Sequence, residues 1–140
     1  MLTKALLFSF QGRVGRKTFW IWNVVYYVLI AVFSVGISQL LPTLSYLLLP
    51  IFLLILLVPD LAITAKRWHD RDKSSYWLAL NIPLILGRLG TPLASPVSGD
   101  TSTPLMLIAS VSLICGVWIL VECGFLKGTA GPNQYGAEPV

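Results

Sequence analysis

A chain of 140 residues that is 56% hydrophobic, 11% charged and +0.78 in mean hydropathy excludes an ordinary water-soluble domain, in which about a quarter of the residues are charged. Its length fits a single domain, and so apolar a surface would aggregate unless lipid or a partner covered it. Ten basic residues, six acidic residues and one histidine, net +4, leave few side chains for catalysis.

Leu2 to Phe10 (LTKALLFSF) is a short apolar stretch with one Lys. It reads equally as an interfacial helix or as a frayed terminus. A first basic cluster follows in residues 10–20, where Gly12 and Gly15 permit tight turns and Arg13 and Arg16 stand three apart. Phe19, Trp20 and Trp22 open the next segment as interfacial aromatics. Thr18 to Leu41 carries no charge and meets the requirement of about 20 apolar residues for a hydrocarbon core of about 30 Å. It exceeds the apolar core of a signal peptide, about 7 to 15 residues, so it is expected to be a retained anchor.

A second span is expected over residues 44–65, with Asp60 near its far end. Residues 66–77 form a second basic cluster, mixing Lys66, Arg67, Arg71 and Lys73 with His69, Asp70 and Asp72, and end in Tyr76 and Trp77. Tyr76 to Leu89 is apolar but short and is interrupted by Asn81 and Pro83. As a helix its length would be only about 21 Å, so a third span over about residues 75–92 must be short or broken, or the segment re-enters. Gly90 to Pro104 has the Gly, Pro, Ser and Thr content of a connection. A last span covers residues 105–126 with Glu122 near its end, and a turn-rich tail covers residues 127–139.

With four spans, nine of the ten Lys and Arg fall on one side, and Arg88 alone lies near the other. The positive-inside rule makes the crowded side cytoplasmic. The fold expected is therefore all-α: an integral membrane four-helix bundle with both termini inside, as one domain over residues 1–140.

Familiar catalytic sets are missing. Cys115 and Cys123 lie eight residues apart on one helix, about 12 Å along its axis, too far to bridge. With His69 as the single histidine they make no tetrahedral zinc site, and they read as packing residues. A dyad of His69 with Ser98 would straddle the membrane. Gly128-Thr-Ala-Gly-Pro-Asn lacks the Lys-Ser/Thr ending of a phosphate loop. No catalytic, cofactor or metal residue is assigned, and the basic charge reads as orientation rather than nucleic-acid binding.

Three motifs then stand out in order. They are F-x-G-R-x-x-R-x-x-F-W (Phe10, Gly12, Arg13, Arg16, Phe19, Trp20), basic-Arg-x-His-Asp with K-S-x-x-W (Lys66, Arg67, His69, Asp70, Lys73, Ser74, Trp77), and G-T-x-G-x-N-x-Y-G with a trailing Pro (Gly128, Thr129, Gly131, Asn133, Tyr135, Gly136, Pro139). In these the chain resembles the DUF805 family, the YhaH-like bacterial inner-membrane proteins. Trp68 replaces the family's usual Leu, Lys66 its usual Arg, and Tyr76 stands where a Trp is common. The resemblance implies a multi-pass inner-membrane protein and no established activity.

Topology brings all three motifs to the cytoplasmic face, where Asp70 is expected to bind Arg13 or Arg16 as a bidentate pair, with the tail folded across the base. A charge swap at 13 and 70, or at 16 and 70, is expected to rescue the single mutants. Asp60 and Glu122 are expected to pair with Arg67, to snorkel, or to mark an ion path. Asn81 and Pro83 are expected to make a packed kink. The reading is a non-enzymatic structural or interaction protein. Its basic cap would face anionic head groups or a membrane partner, and the Ser34/Ser38 and Ser112/Gly116 faces suit a homo-oligomer. The alternative is a small oligomeric transporter or channel using Asp60 and Glu122. A remoter third is an intramembrane lipid-modifying enzyme using Asp60, Asp70 or Asp72.

Overall fold

The computed structural model describes residues 4–90 and 103–139. The interior of the Gly90–Pro104 connection, with Ser98, lies outside the described residues, as do Leu2 and Val140. The named elements are all helical: α1 (Lys4–Phe8), α2 (Arg16–Leu40), α3 (Ser45–Asp70), α4 (Asn81–Gly90) and α5 (Thr103–Ile119). Short 3-10 turns at Pro42–Leu44 and Ser75–Leu80 precede α3 and α4, and α5 runs into a π-helix over Leu120–Phe125. An isolated bridge joins Asn133 and Gly136 in the tail.

Among the described residues three helices are long and apolar enough to cross a membrane: Arg16–Leu40, Pro42–Asp70 and Met106–Phe125. Their outward faces carry exposed Val32, Val35, Ile55, Leu113 and Ile114, side chains that only lipid or another apolar surface would cover. A helix satisfies its own backbone where water is absent, so long apolar runs adopt it whatever their β-branched content. α3 even accommodates Pro50 and Pro59.

The second span is longer than the apolar run. α3 continues five residues past Ala65 to Asp70, because the neighbours described below wrap its charged end. The third segment is shorter as an α-helix than expected. Ser75–Leu80 is wound as a 3-10 turn and the α-helix begins only at Asn81. Pro83 therefore sits in the first turn of α4 rather than at a mid-helix kink. Its missing N–H is one that no helix would have bonded there.

α2 packs on α3 and α4 on α5. Phe33 stacks on Phe52 at 4.0 Å across the first pair. In the second, Ser112 Oγ donates to Pro83 O at 2.7 Å, and Gly116 faces Leu84. The Ser112/Gly116 face is thus occupied by α4 of the same chain, which corrects its assignment to an oligomer contact. Among the described residues, the backbones of α2 and of the α5 segment approach closely only at the π-helix, with Ile119 at the end of α5 joining the core cluster of Phe19, Trp22 and Tyr26. The described part of the N-terminal stretch is helical from Lys4 to Phe8 and leaves Phe8 exposed. Leu6 and Leu7 pack on the core, and the Lys66 ammonium donates to Leu6 O.

Candidate functional site: a buried polar cap and an intramembrane cleft

The last three turns of α3 decide the geometry of one end of the molecule. Every residue from Ala62 to Asp70 is buried, including Lys66, Arg67, His69 and Asp70. A helix C-terminus has four carbonyls without intrahelical partners and favours cations. Here it closes with Arg71 N and Lys73 N donating to Trp68 O and Asp72 N to His69 O, Asp72 lying in the left-handed region at φ 58°.

Asp70 is the hub. Arg13 donates to its Oδ1 from Nε at 3.1 Å and Nη2 at 2.9 Å, and Arg67 Nη1 binds its Oδ2. Arg13 uses its remaining donors on the tail, reaching Thr129 O at 2.7 Å, Gly131 O at 2.7 Å and Gly136 O at 3.2 Å. All five guanidinium N–H groups are thereby engaged. Arg67 donates from Nε to Cys123 O at 2.6 Å and from Nη2 to Leu126 O at 2.5 Å, capping the carbonyls that the π-helix leaves open.

The tail closes over this pair from the other side. Thr129 N and Oγ1 both donate to Asp70 O, at 2.8 and 3.0 Å. Asn133 Nδ2 donates to His69 O at 2.8 Å and its Oδ1 accepts from Tyr135 N. The Tyr135 ring stacks on His69 at 3.9 Å. His69 Nδ1 lies 3.2 Å from Gly12 O and Nε2 2.9 Å from Ser75 Oγ, a pattern that assigns the proton to Nδ1. Gly128 lies so close that an added Cβ would collide with the Asp70 carboxylate, and Gly131 and Gly136 take positive φ.

The other motif residues ring this centre. Lys73 lies over the rings of Trp77 at 4.5 Å and Trp68 at 5.3 Å. Arg16 donates to Phe125 O rather than to Asp70, so of the two alternatives, Arg13 or Arg16, it is Arg13 that pairs with Asp70. Trp20 Nε1 donates to Gly124 O at 3.1 Å and its ring packs edge-on to Phe125. Phe19 is buried beside it, while Phe10 is part-exposed near His69 and Tyr135. Because Arg13 and Arg67 are enclosed, neither faces lipid. Among the described residues Lys4, Arg16, Lys17 and Lys127 are exposed, and the last three lie around a groove of about 890 Å³ that Glu138 also lines.

Neither intramembrane acid pairs with Arg67, which binds Asp70 and the carbonyls of Cys123 and Leu126. Glu122 binds Arg71 at 2.7 Å and Lys73 at 3.0 Å. Asp60 accepts from Trp22 Nε1 at 3.2 Å and lies 3.4 Å from Arg88 Nη1. Arg88, read from the sequence as a stray charge near the far side, also donates to the Tyr26 and Tyr27 hydroxyls at 3.0 Å each. These residues floor a cleft of about 650 Å³ between α2 and α5, walled by apolar side chains and lined by Asp60, Asn81 and Arg88. Asn81 is 6% exposed and its Nδ2 has no hydrogen-bond partner. Among the described residues no group of three His, Cys, Asp or Glu side chains gathers as a metal site.

Known proteins are similar to this chain along nearly its whole length. The family described as "Protein of unknown function (DUF805)" matches residues 7–137. The uncharacterized protein YiiR of Escherichia coli K12 is 32% identical over 139 residues, 99% of this chain and 90% of its own length. The inner membrane protein YhaI of the same organism is 27% identical over 135 residues, covering 94% and 86%. No solved structure matches. On both the family match and the YiiR similarity, the chain belongs to the DUF805 family, and its three long apolar helices and its likeness to an inner membrane protein make it a membrane protein.

Proposed function

We propose that this is a multi-pass, non-enzymatic interaction protein of the bacterial inner membrane. In this reading four segments cross, both termini are cytoplasmic, and the surface that acts is the exposed collar of Arg16, Lys17 and Lys127, binding anionic lipid head groups. The observation that carries it is the self-sufficiency of the buried cap. Arg13 and Arg67 are satisfied from within the chain, so the outer cations around the basic groove remain for a partner.

Four crossings are supported by chain path. The start of α2, the end of α3 and the end of the π-helix share one end of the molecule through Arg16, Arg67 and Asp70. The chain leaves that end at Asp70 and comes back to it at the end of α5, so the 3-10 turn and α4 are the described elements available for the intervening crossing. The 3-10 turn and α4 together measure about 27 Å if collinear, close to a core of about 30 Å. The name of YhaI supports the inner membrane, and oligomerisation through the Ser34/Ser38 face belongs to the same proposal. Pairing of Asp60 and Glu122 with cations favours packing over an ion path.

Two experiments test the reading. Reporter fusions after residue 96 should report the far side of the membrane and fusions at either end the cytoplasm; a cytoplasmic signal from the loop would refute four crossings. Replacing Arg16, Lys17 and Lys127 by Gln should lower retention of phosphatidylglycerol about 100-fold, since each basic residue contributes about 1 kcal/mol at an anionic surface. Unchanged retention would refute the collar.

A further inference from the structure

The cleft between α2 and α5 has three properties that belong together. It opens between α2 and α5, because among the described residues their backbones come close only at the π-helix. Its walls are apolar, with Val24 and Val28 on one side and Leu113 and Val117 on the other. Its floor is polar and carries one unanswered donor, Asn81 Nδ2, on a side chain more than nine-tenths buried. A buried donor left without an acceptor costs free energy comparable to a lost hydrogen bond, and in hydrocarbon no water is present to supply the acceptor.

Charge and size narrow the occupant. Asp60 and Arg88 pair across the floor, so the site presents no net charge to a ligand, and a neutral amide donor suits an uncharged carbonyl better than a phosphate or carboxylate. A helix 10 Å wide and three turns long would displace about 1,300 Å³, twice the volume of about 650 Å³ in the cleft. An extended hydrocarbon chain fits where a helix does not.

We propose that the cleft binds one acyl chain of a bilayer glycerolipid, with the ester carbonyl accepting a hydrogen bond from Asn81 Nδ2. Trp20 lines both the cleft and the basic groove, so the chain enters beside it from the cytoplasmic leaflet. The inference rests on the membrane placement of the helices and not on the basic collar, and a zwitterionic probe keeps the two tests separate.

The experiment uses the full chain in phosphatidylcholine nanodiscs with a phosphatidylcholine whose acyl chain bears a photoactivatable diazirine. Labelling is expected to concentrate on Val24, Val28, Leu113 and Val117 over Ile51 and Ile55, which are exposed on α3. The ether-linked analogue, which has no carbonyl, should lose about tenfold of that enrichment, the equivalent of one hydrogen bond made away from water. Asn81→Leu should abolish the difference between ester and ether. Val117→Trp, which narrows the cleft from its lipid-facing wall and leaves the polar floor untouched, should displace both probes and guards against misfolding of the Asn81 variant. Uniform labelling of the wild type, or equal labelling by ester and ether, overturns the proposal. So do chain-to-chain cross-links at Val117→Cys in a Cys115→Ser background in place of lipid labelling, since they would put a helix in the cleft.

Discussion

The two polar regions of this membrane protein differ in how completely they are closed. At the end of α3, Asp70 receives two guanidinium groups, and Arg13 uses every N–H it has. In the cleft, Asp60 and Arg88 are held more loosely at 3.4 Å and Asn81 Nδ2 has no acceptor. They differ in enclosure too, the Arg13, Arg67 and Asp70 side chains being at most 5% exposed against 28% for Arg88 and 12% for Asp60. A saturated network resists rearrangement and specifies one arrangement of its backbone, whereas a partly satisfied one leaves room for a ligand.

The sharpest way to break the contrast is Asp70→Ala. It leaves Arg13 and Arg67 as buried cations without a counter-charge, and loss of about 3–5 kcal/mol is expected, read as failure to accumulate and as a lowered thermal transition in nanodiscs. Arg13→Lys tests whether charge alone suffices. An ammonium has three donors and no fork, so carbonyls of the tail lose their partner. About 2 kcal/mol should go, with proteolysis appearing between residues 128 and 136.

The charge swap that looked decisive from sequence is now expected to fail. Arg at 70 would face Arg67, and Asp at 13 would face the carbonyls of Thr129, Gly131 and Gly136. Recovery of the doubly swapped protein to wild-type levels would contradict the geometry. Arg16→Gln, by contrast, removes a bond to Phe125 O at the surface and should cost less than about 1 kcal/mol, by analogy with other exposed charges.

The cleft should respond in the opposite sense from the cap. Replacing Asp60 and Arg88 together by Leu and Met removes both charges, and such paired replacement is commonly neutral to within about 1 kcal/mol or stabilising. A large loss in the double variant would show that the pair is as structural as Asp70. The smallest effect belongs to the helix end: Asp72→Gly relieves a side chain at φ 58° and should gain less than about 1 kcal/mol, part of it returned through the freer unfolded chain, measurable by thermal unfolding.

How much of this was legible before the structure depends on the kind of signal. The long spans stand out because the solvent dictates them: an apolar run of sufficient length has one stable form in lipid. Asp70 stands out as an acid inside a basic cluster, and topology brings the motifs to the same end. What sequence misses is depth and competition. Arg88 lies 28 residues from Asp60, and its level depends on how residues 75–80 are wound, which six apolar and small residues do not announce. Arg67 is the obvious partner for Glu122 until a π-helix, invisible in LVECGF, presents carbonyls that claim it. Small residues at 112 and 116 mark close helix approach correctly but not whose helix approaches.

The span in sequence between Arg13 and its acceptors has a consequence for biosynthesis. A chain emerging from the ribosome inserts α2 and α3 while the carbonyls of Thr129, Gly131 and Gly136 are still unmade. Until residues 128–136 are translated, Arg13 lacks its three acceptors in the tail and the last carbonyls of α3 lack Thr129 and Asn133. Cap closure is therefore expected only once the tail is made, and a chain truncated before residue 128 should be cleaved more readily at the end of α3 in limited proteolysis.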